Sequence, residues 1–573
     1  MRAVAIVQSF GISAGDTGKY RFVRGSCVQD EKKNVERAYL IHVAAATLLV
    51  FLAGVFAAAT TPYFGGPDER NHYNSVVRVV DGGGWPLPYE AGIEPSVHRA
   101  WLESGRTLSN VPAIDPVPLA TDRSNVLAEF DNDISDIDNM VQHPPLYYFL
   151  TAGAVAATGT DNLRWDQAFL LMRIFSVFLV SISVPAIAGT VRGLTRSRSL
   201  GIIGAYSLLT IPFFVGFAGL ISNDTLLVPT ISGALYLLVR AWRKPHQMVG
   251  LFIAAGFVFG LALLTKGFAL FAIPLVFGLS LVAAFRSTPR RKHWLLLGFI
   301  PSAVAALVGG WWWIRNLILI GSIQPSVAGN LRTPLSEPLA DIDVLKYFAK
   351  FWLRLNSLFW ARGVRPEDGG QTLPVVLVAI AGLVLVAAVI IVVFYSRNRA
   401  ISLLLLSFPA IVIAVLFVNS YSVYETYGVA ERGVQGRYVF GGIVAYSMVF
   451  ASLWGIIGRK LALRARSVAF TAVILGSWLI AWAHNWWLLL SSWPNRYSSD
   501  SGAIDAATAY FDLPTFAYFA LTAAALVTVA LALVLGSRLA PGAGLAADFS
   551  DDQILEAEPR VLNDDSAEGG ARK

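Results

Sequence analysis

Long apolar runs separated by short polar breaks dominate the chain. The first begins near Tyr39 and ends near Thr61, and further runs occupy residues 168–191, 200–221, 224–241, 249–264, 267–285, 294–319, 372–396, 400–419, 436–457, 467–489 and 514–537. A helix needs about 20 apolar residues to cross a hydrocarbon layer roughly 30 Å thick, and these runs match that length. The stretch 249–285 is too long for one crossing, and the polar pair Thr265–Lys266 near its middle divides it into a tight hairpin. A shorter run from Pro144 to Gly159 reads as a re-entrant or interfacial helix. The pattern predicts an all-α integral membrane protein of about twelve transmembrane helices with a large first extracytoplasmic loop.

The short basic loops orient these helices. With the N-terminus inside, the inner loops hold Arg192, Arg196 and Arg198; Arg240, Arg243 and Lys244; Arg286, Arg290, Arg291 and Lys292; Arg397 and Arg399; and Arg459, Lys460, Arg464 and Arg466. Every group falls where the positive-inside rule requires it, and a miscounted helix would break the alternation from that point on. Both termini are therefore expected in the cytoplasm, in a multi-pass protein of the plasma (inner) membrane. Residues 1–38 read as a disordered cytoplasmic extension, residues 39–537 as the transmembrane domain, and residues 538–573 as a disordered acidic tail. Three outer segments are long, at 62–167, 320–371 and 490–513. The first carries Pro86, Pro88, Pro95, Pro112, Pro116 and Pro118, which favour a folded, irregular cap with interfacial helices over a separate large domain. No internal repeat is evident, which weakens an inverted-repeat transporter.

Composition agrees. Only 14% of residues are charged and 55% are hydrophobic, with a mean hydropathy of +0.57, where a soluble protein is about a quarter charged. The net charge of +7 would suggest nucleic acid in a soluble chain; here the basic inner loops account for it, and no nucleic-acid partner is expected. Cys27 is the single cysteine, so no intramolecular disulfide forms and cysteine usage does not reveal the compartment.

Candidate chemistry gathers on the outer side. After the first helix comes Gly66-Pro67-Asp68-Glu69-Arg70-Asn71-His72-Tyr73, with Pro67 suited to a helix's opening turn. On such a helix Asp68 and His72 share a face and Glu69 lies three residues from His72. Two carboxylates and a histidine can hold a divalent cation or act as a tuned general base, although acids at a helix start also simply complement its dipole. Gln142-His143-Pro144-Pro145-Leu146-Tyr147-Tyr148 closes the first loop, with the two tyrosines suited to anchoring at the membrane interface. Upstream, Asp131, Asp133, Asp136 and Asp138 lack the glycine and terminal glutamate of a calcium loop and read as a solvated acidic loop. Further polar interruptions at outer helix ends are Ser222-Asn223-Asp224, Lys266, Arg315-Asn316 and Gln435-Gly436-Arg437-Tyr438. Charges at a membrane rim are costly unless paired, and a snorkelling lysine is the ordinary alternative for Lys266. Together Asp68, Glu69, Asp224, Lys266, Arg315 and Arg437 supply the acids and cations that a phosphate-linked substrate and a hydroxyl nucleophile need.

At these residues the chain resembles the GT-C superfamily of polytopic glycosyltransferases, which includes the protein O-mannosyltransferases and lipid A aminoarabinose transferases. The resemblance rests on Pro67-Asp68-Glu69 with His72, on His143-Pro144-Pro145-Leu146-Tyr147-Tyr148, on Ser222-Asn223-Asp224 and on Thr265-Lys266-Gly267, and covers most of residues 39–490. Gln435-Gly436-Arg437-Tyr438 looks more like an uncharacterised branch of bacterial membrane proteins with the same start. The resemblance implies a GT-C-like fold and transfer of a sugar, with inversion, from a polyprenyl-phosphate-linked donor to an acceptor glycan, lipid or protein on the outer face. It implies Asp68 as catalytic base, with Glu69 and His72 shaping the site or joining Asp68 around a divalent cation, Mg or Mn. His143, Asn223, Asp224, Lys266, Arg315, Arg437 and Tyr438 would bind substrate, the three cations neutralising the lipid phosphate. A phosphate already leaves readily, so cations can stand in for a general acid. The rivals are a transporter or flippase for a lipid-linked glycan and a non-catalytic scaffold in envelope synthesis. A transporter would place its charges near the bilayer midplane, whereas these lie at one rim.

Overall fold

The computed structural model describes residues 17–107, 114, 117–130, 136–287, 291–325, 334–339, 342–360, 375–396, 399–428, 433–493, 502–540 and 545. In chain order the α-helices are α1 (Thr17–Ala58), α2 (Glu69–Val80), α3 (Pro95–Glu103), α4 (Leu146–Ala156), α5 (Trp165–Ser181), α6 (Ser183–Thr195), α7 (Arg198–Tyr206), α8 (Pro212–Ala218), α9 (Asp224–Arg243) and α10 (Met248–Leu263). There follow α11 (Ile273–Ser287), α12 (Arg291–Ala305), α13 (Trp311–Ile320), α14 (Val344–Trp360), α15 (Val375–Tyr395), α16 (Arg399–Tyr427), α17 (Ile443–Arg459), α18 (Leu463–Ser492), α19 (Ala503–Phe511) and α20 (Phe516–Leu539). Among the described residues the only β-pairings are two isolated bridges, Gly92 with Ile137 and Asn125 with Arg164.

Among the described residues, eleven helical stretches are long and apolar enough to cross a membrane, and a twelfth is broken. The broken one joins Arg198–Thr210 to Pro212–Ala218 at 77°. Pro212 lacks an N–H and holds Ile211 in extended backbone, at φ −108° and ψ 93°, so the helix cannot run through. Each apolar run in the sequence has a helix at the same place, and α4 is the short apolar helix expected between Pro144 and Gly159. The first boundary differs, since α1 starts at Thr17, well before Tyr39. Of the extension expected at 1–38, residues 1–16 lie outside the described residues; of the tail expected at 538–573, all but 538–540 and 545 do.

Lipid replaces water around such helices, so apolar side chains point outward as well as inward. Val376, Leu383 and Val384 of α15 are exposed in this way, while Leu49, Ile203, Phe214, Val228 and Phe440 lie in one continuous buried core. A second core surrounds the C-terminal end of α1 and the segment that follows it. Phe56, Tyr63, Phe64, Tyr73, Trp165, Phe169, Trp493 and Tyr510 interlock there, and bind the segment after α1 to the start of α5 and the ends of α18 and α19. Tyr63 alone meets Trp165, Phe169, Tyr510 and Phe511 at centroid separations of 4.9–5.2 Å. The helix that follows α1 therefore sits on a rigid aromatic base.

Candidate active site

Four elements from distant parts of the chain meet above this base. Asp68 precedes α2; Asp224 opens α9; Lys266 sits between α10 and a 3-10 turn at Gly267–Ala272; and Arg437 belongs to a 3-10 turn at Gly436–Gly442 that leads into α17. Gly436 makes the last approach possible, because a Cβ there would run into the backbone of Leu358 and Phe359 on α14.

Arg437 is the hub. One terminal nitrogen donates to Asp68 Oδ2 at 2.7 Å and the other to the Pro67 carbonyl at 3.0 Å. Its Nε lies 3.7 Å from Asp224 Oδ2. Lys266 Nζ donates to that same oxygen at 2.8 Å, and rests over the rings of Tyr438 at 5.0 Å and Phe268 at 5.5 Å. Charges taken from water need such partners. Arg437, Asp224 and Lys266 are 1%, 2% and 5% exposed, whereas the Asp68 carboxylate is 41% exposed. Asp68 is thus the carboxylate of this cluster that an incoming molecule can touch.

Asp68 does not behave as an ordinary helix cap. It stands at the N-cap of α2 but makes no side-chain bond to the helix N–H groups, and its backbone is left-handed at φ 59° and ψ 11°. Such backbone is uncommon outside glycine, although aspartate tolerates it better than most residues. The effect is to turn the carboxylate away from the helix end and onto Arg437.

Glu69 takes the opposite course. Its two oxygens accept from Arg173 Nε and terminal nitrogen, each at 2.9 Å, from Ile221 N–H at 3.1 Å and from Gly66 N–H at 2.9 Å. Arg173 also donates to the carbonyls of Ala58, Thr61 and Pro62, which the end of α1 leaves without helical partners. Glu69 is a buried clamp between α1, α2 and α5, which corrects its expected place among substrate and metal contacts. Arg173 escaped notice in the sequence, although a lone arginine inside the apolar run 168–191 was the available signal.

His72 is buried with Nδ1 3.0 Å from the Tyr148 hydroxyl. Burial holds its ring well below the usual histidine range, and Arg437, Lys266 and His143 push the same way. His143 is pushed down to about 3, first by burial and then by Lys266 and Arg437. Both rings are therefore neutral neighbours of the cationic pair. Tyr147 and Tyr148, expected to anchor at the interface, are instead fully buried. Tyr147 bonds Ser176 at 2.8 Å and accepts from Ser222 N–H at 3.2 Å, tying α4 to α5 and to the segment before α9. Asn223 donates to the Thr265 carbonyl at 3.4 Å, joining the start of α9 to the Lys266 turn.

The expected acidic loop is also different. Asp131 and Asp133 lie outside the described residues. Asp136 pairs with Arg70 at 2.8 Å. Asp138 is fully buried and accepts from Asn74, Ser75 and Met140 N–H at 2.8 Å and from Arg78 at 2.9 Å. It pins α2 to the segment leading to His143, so it is not a solvated residue. Arg315 pairs with none of these acids: its guanidinium meets Asn316 at 3.1 Å and the Trp312 ring at 4.7 Å, with no ion pair among the described residues.

A divalent cation does not fit Asp68, Glu69 and His72. Every Glu69 oxygen is taken by donors, Asp68 is engaged by Arg437, and His72 Nδ1 faces a hydroxyl. No group of three histidine, cysteine or acidic side chains is arranged for a metal among the described residues. Unsatisfied polarity lies elsewhere. Asp224 Oδ1, Asn223 Oδ1, Arg437 Nε and His143 Nδ1 are buried without hydrogen-bond partners, and Lys266 uses one of its three N–H donors on Asp224. Buried groups of this kind call for an explanation, and spare cationic donors beside an exposed carboxylate suit an anionic ligand carrying a proton-losing partner.

A family model described as a predicted membrane protein (DUF2142) matches residues 51–445. No curated protein matches the chain by sequence. Among solved structures, the chain is similar to ArnT from Cupriavidus metallidurans bound to undecaprenyl phosphate, with 15% identity over 89% of this chain and 77% of that one and a TM-score of 0.44. It is also similar to the archaeal oligosaccharyltransferase AglB from Archaeoglobus fulgidus in complex with an inhibitory peptide and a dolichol-phosphate, with 13% identity over 78% of this chain and 55% of that one and a TM-score of 0.43.

Proposed function

The chain belongs to the family described as predicted membrane protein (DUF2142), whose model spans Asp68, Asp224, Lys266 and Arg437 alike, and we propose that it is an inverting glycosyltransferase using a polyprenyl-phosphate-linked sugar. The observation that carries this proposal is the pairing of the half-exposed Asp68 carboxylate with buried Arg437, which lies beside Asp224 and Lys266.

Asp68 takes the proton of an acceptor hydroxyl as its oxygen attacks the anomeric carbon. The bond from that carbon to the phosphate oxygen breaks, and the lipid phosphate leaves with the electron pair. One displacement inverts the anomeric centre, and one carboxylate is enough because the leaving group needs no proton. The free donors of Lys266 and Arg437 Nε receive the negative charge that grows on the phosphate. Asp224 holds these two cations together, Asn223 keeps the α9 start on the Lys266 turn, and Tyr438 backs the ammonium with its ring. His72 and His143 stay neutral and shape the wall, and Arg315 is left outside the reaction.

The charged residues of the cluster stand at helix ends, which favours surface chemistry over a transport path through a midplane site. The basic alternation of the loops assigns this end to the extracytoplasmic side of the plasma membrane, with both termini inside. The acceptor is an envelope glycan, lipid or protein.

The test is transfer by purified Asp68→Asn with a polyprenyl-phosphate sugar as donor. General-base catalysis contributes about 10²–10⁴-fold, so turnover should fall by that order while thermal stability and donor binding persist. Near-normal transfer would remove Asp68 from the role of base.

A further inference from the structure

At the opposite end of the molecule, a cavity of about 670 Å³ opens between the middle of α1, the start of α7 and the ends of α6 and α9. Glu36, which lines it, precedes Ala58 by 22 residues on one helix, about 33 Å at 1.5 Å per residue. The cavity and Asp68 are thus separated by roughly one hydrocarbon thickness.

Its lining is unbalanced. Among the described residues, Arg192, Arg196, Arg198, Arg240, Arg243 and Lys244 line it with a single carboxylate, Glu36. Glu36 is occupied by Arg192 at 2.7 and 2.8 Å and by Arg198 at 2.9 Å. Arg240 donates to the Tyr236 hydroxyl at 3.2 Å, and Arg243 to the Gly193 carbonyl at 2.7 Å; both partners are uncharged. Arg240, Arg243 and Lys244 have no carboxylate partner among the described residues. The positive-inside rule accounts for basic loops but not for their convergence on one concavity. Arg196 adds backbone strain, standing left-handed at φ 56°.

The remaining walls are apolar. Leu40, Val43, Pro185 and Val239 continue from the cationic rim toward the helix interior, and Leu40 is largely exposed on the outside of α1. A soluble anion would gain nothing from such a floor, whereas a lipid needs a cationic rim for its headgroup and an apolar exit for its chains. Basic pockets between transmembrane helices bind anionic headgroups on these grounds. We propose that this cavity is a binding site for the phosphate of an anionic phospholipid headgroup, distinct from the Asp68 cluster.

Full-length protein purified in detergent, titrated with phosphatidylglycerol or phosphatidylcholine and followed by native mass spectrometry, tests this. Phosphatidylglycerol should bind in preference to phosphatidylcholine. Arg240→Gln with Lys244→Gln should weaken it on the order of ten- to thirty-fold, from the usual contribution of each basic residue near an anionic surface. Lys460→Gln with Arg464→Gln removes the same charge from exposed positions outside the cavity and should leave binding unchanged. Lys244→Gln alone, on an exposed side chain, should show part of the loss should the double variant prove unstable. Equal binding of the two lipids, equal loss in both double variants, or displacement of phosphatidylglycerol by millimolar inorganic phosphate would each overturn the proposal.

Discussion

Glu69 and Arg173 form a two-point ion pair with both contacts at 2.9 Å and both side chains sealed from solvent. Removing one member strands a buried charge, which typically costs about 3–5 kcal/mol. Glu69→Gln and Arg173→Met should therefore lower the thermal midpoint of the purified protein sharply, and added magnesium or manganese should restore neither. Recovery of activity in Glu69→Gln on adding a divalent cation would argue against the clamp and for a metal.

Lys266 and Arg315 are both phosphate-binding candidates by sequence, and the fold gives them different partners. Lys266→Met loses a charge-assisted contact to phosphate, with about 1.5–3 kcal/mol at stake, so affinity for a polyprenyl-phosphate donor should drop roughly ten- to hundred-fold. Arg315→Ala should change it little. Equal effects in a binding titration would mean that the donor reaches toward α13 and not the Asp224–Lys266 pair.

Acid should weaken the fold around the two site histidines. The unfolded chain takes up protons on these rings below about pH 6.5, while folded His143 stays neutral to about 3 and folded His72 is also held low. Protons then favour unfolding, and stability present above pH 6.5 is lost as pH falls, by at most about 1.4 kcal/mol per pH unit for each ring. Thermal midpoints at pH 7 and pH 5 should converge in His143→Gln relative to the parent protein. An identical pH slope in both proteins would show that His143 gains protons in the folded state.

Accessibility should separate the two ends. Ser222 and Thr265 lie on the outer loops by sequence but are fully buried, so cysteines there would not report sidedness. With Cys27→Ser as background, Glu90→Cys should react with a membrane-impermeant thiol reagent from outside, and Lys244→Cys only after permeabilisation. Both positions are exposed, so reversed labelling would invert the orientation.

Much of the architecture is legible in the sequence. The apolar runs coincide with helices because hydrocarbon solvent demands an unbroken length of about 20 apolar residues and an internally satisfied backbone, both local properties. Lys266 stood out for the same reason, as a charge inside an apolar stretch. The partners of each charge were not legible. Asp68 and Glu69 are neighbours in sequence, and helical spacing treated them as one acidic pair. Asp68 meets Arg437 across 369 residues and stays open to solvent, while Glu69 meets Arg173 across 104 residues and is sealed. A left-handed backbone at Asp68 turns the adjacent carboxylates to different elements. Tertiary packing alone decided that split, because contacts across such separations depend on which helices end together and leave no trace in local periodicity.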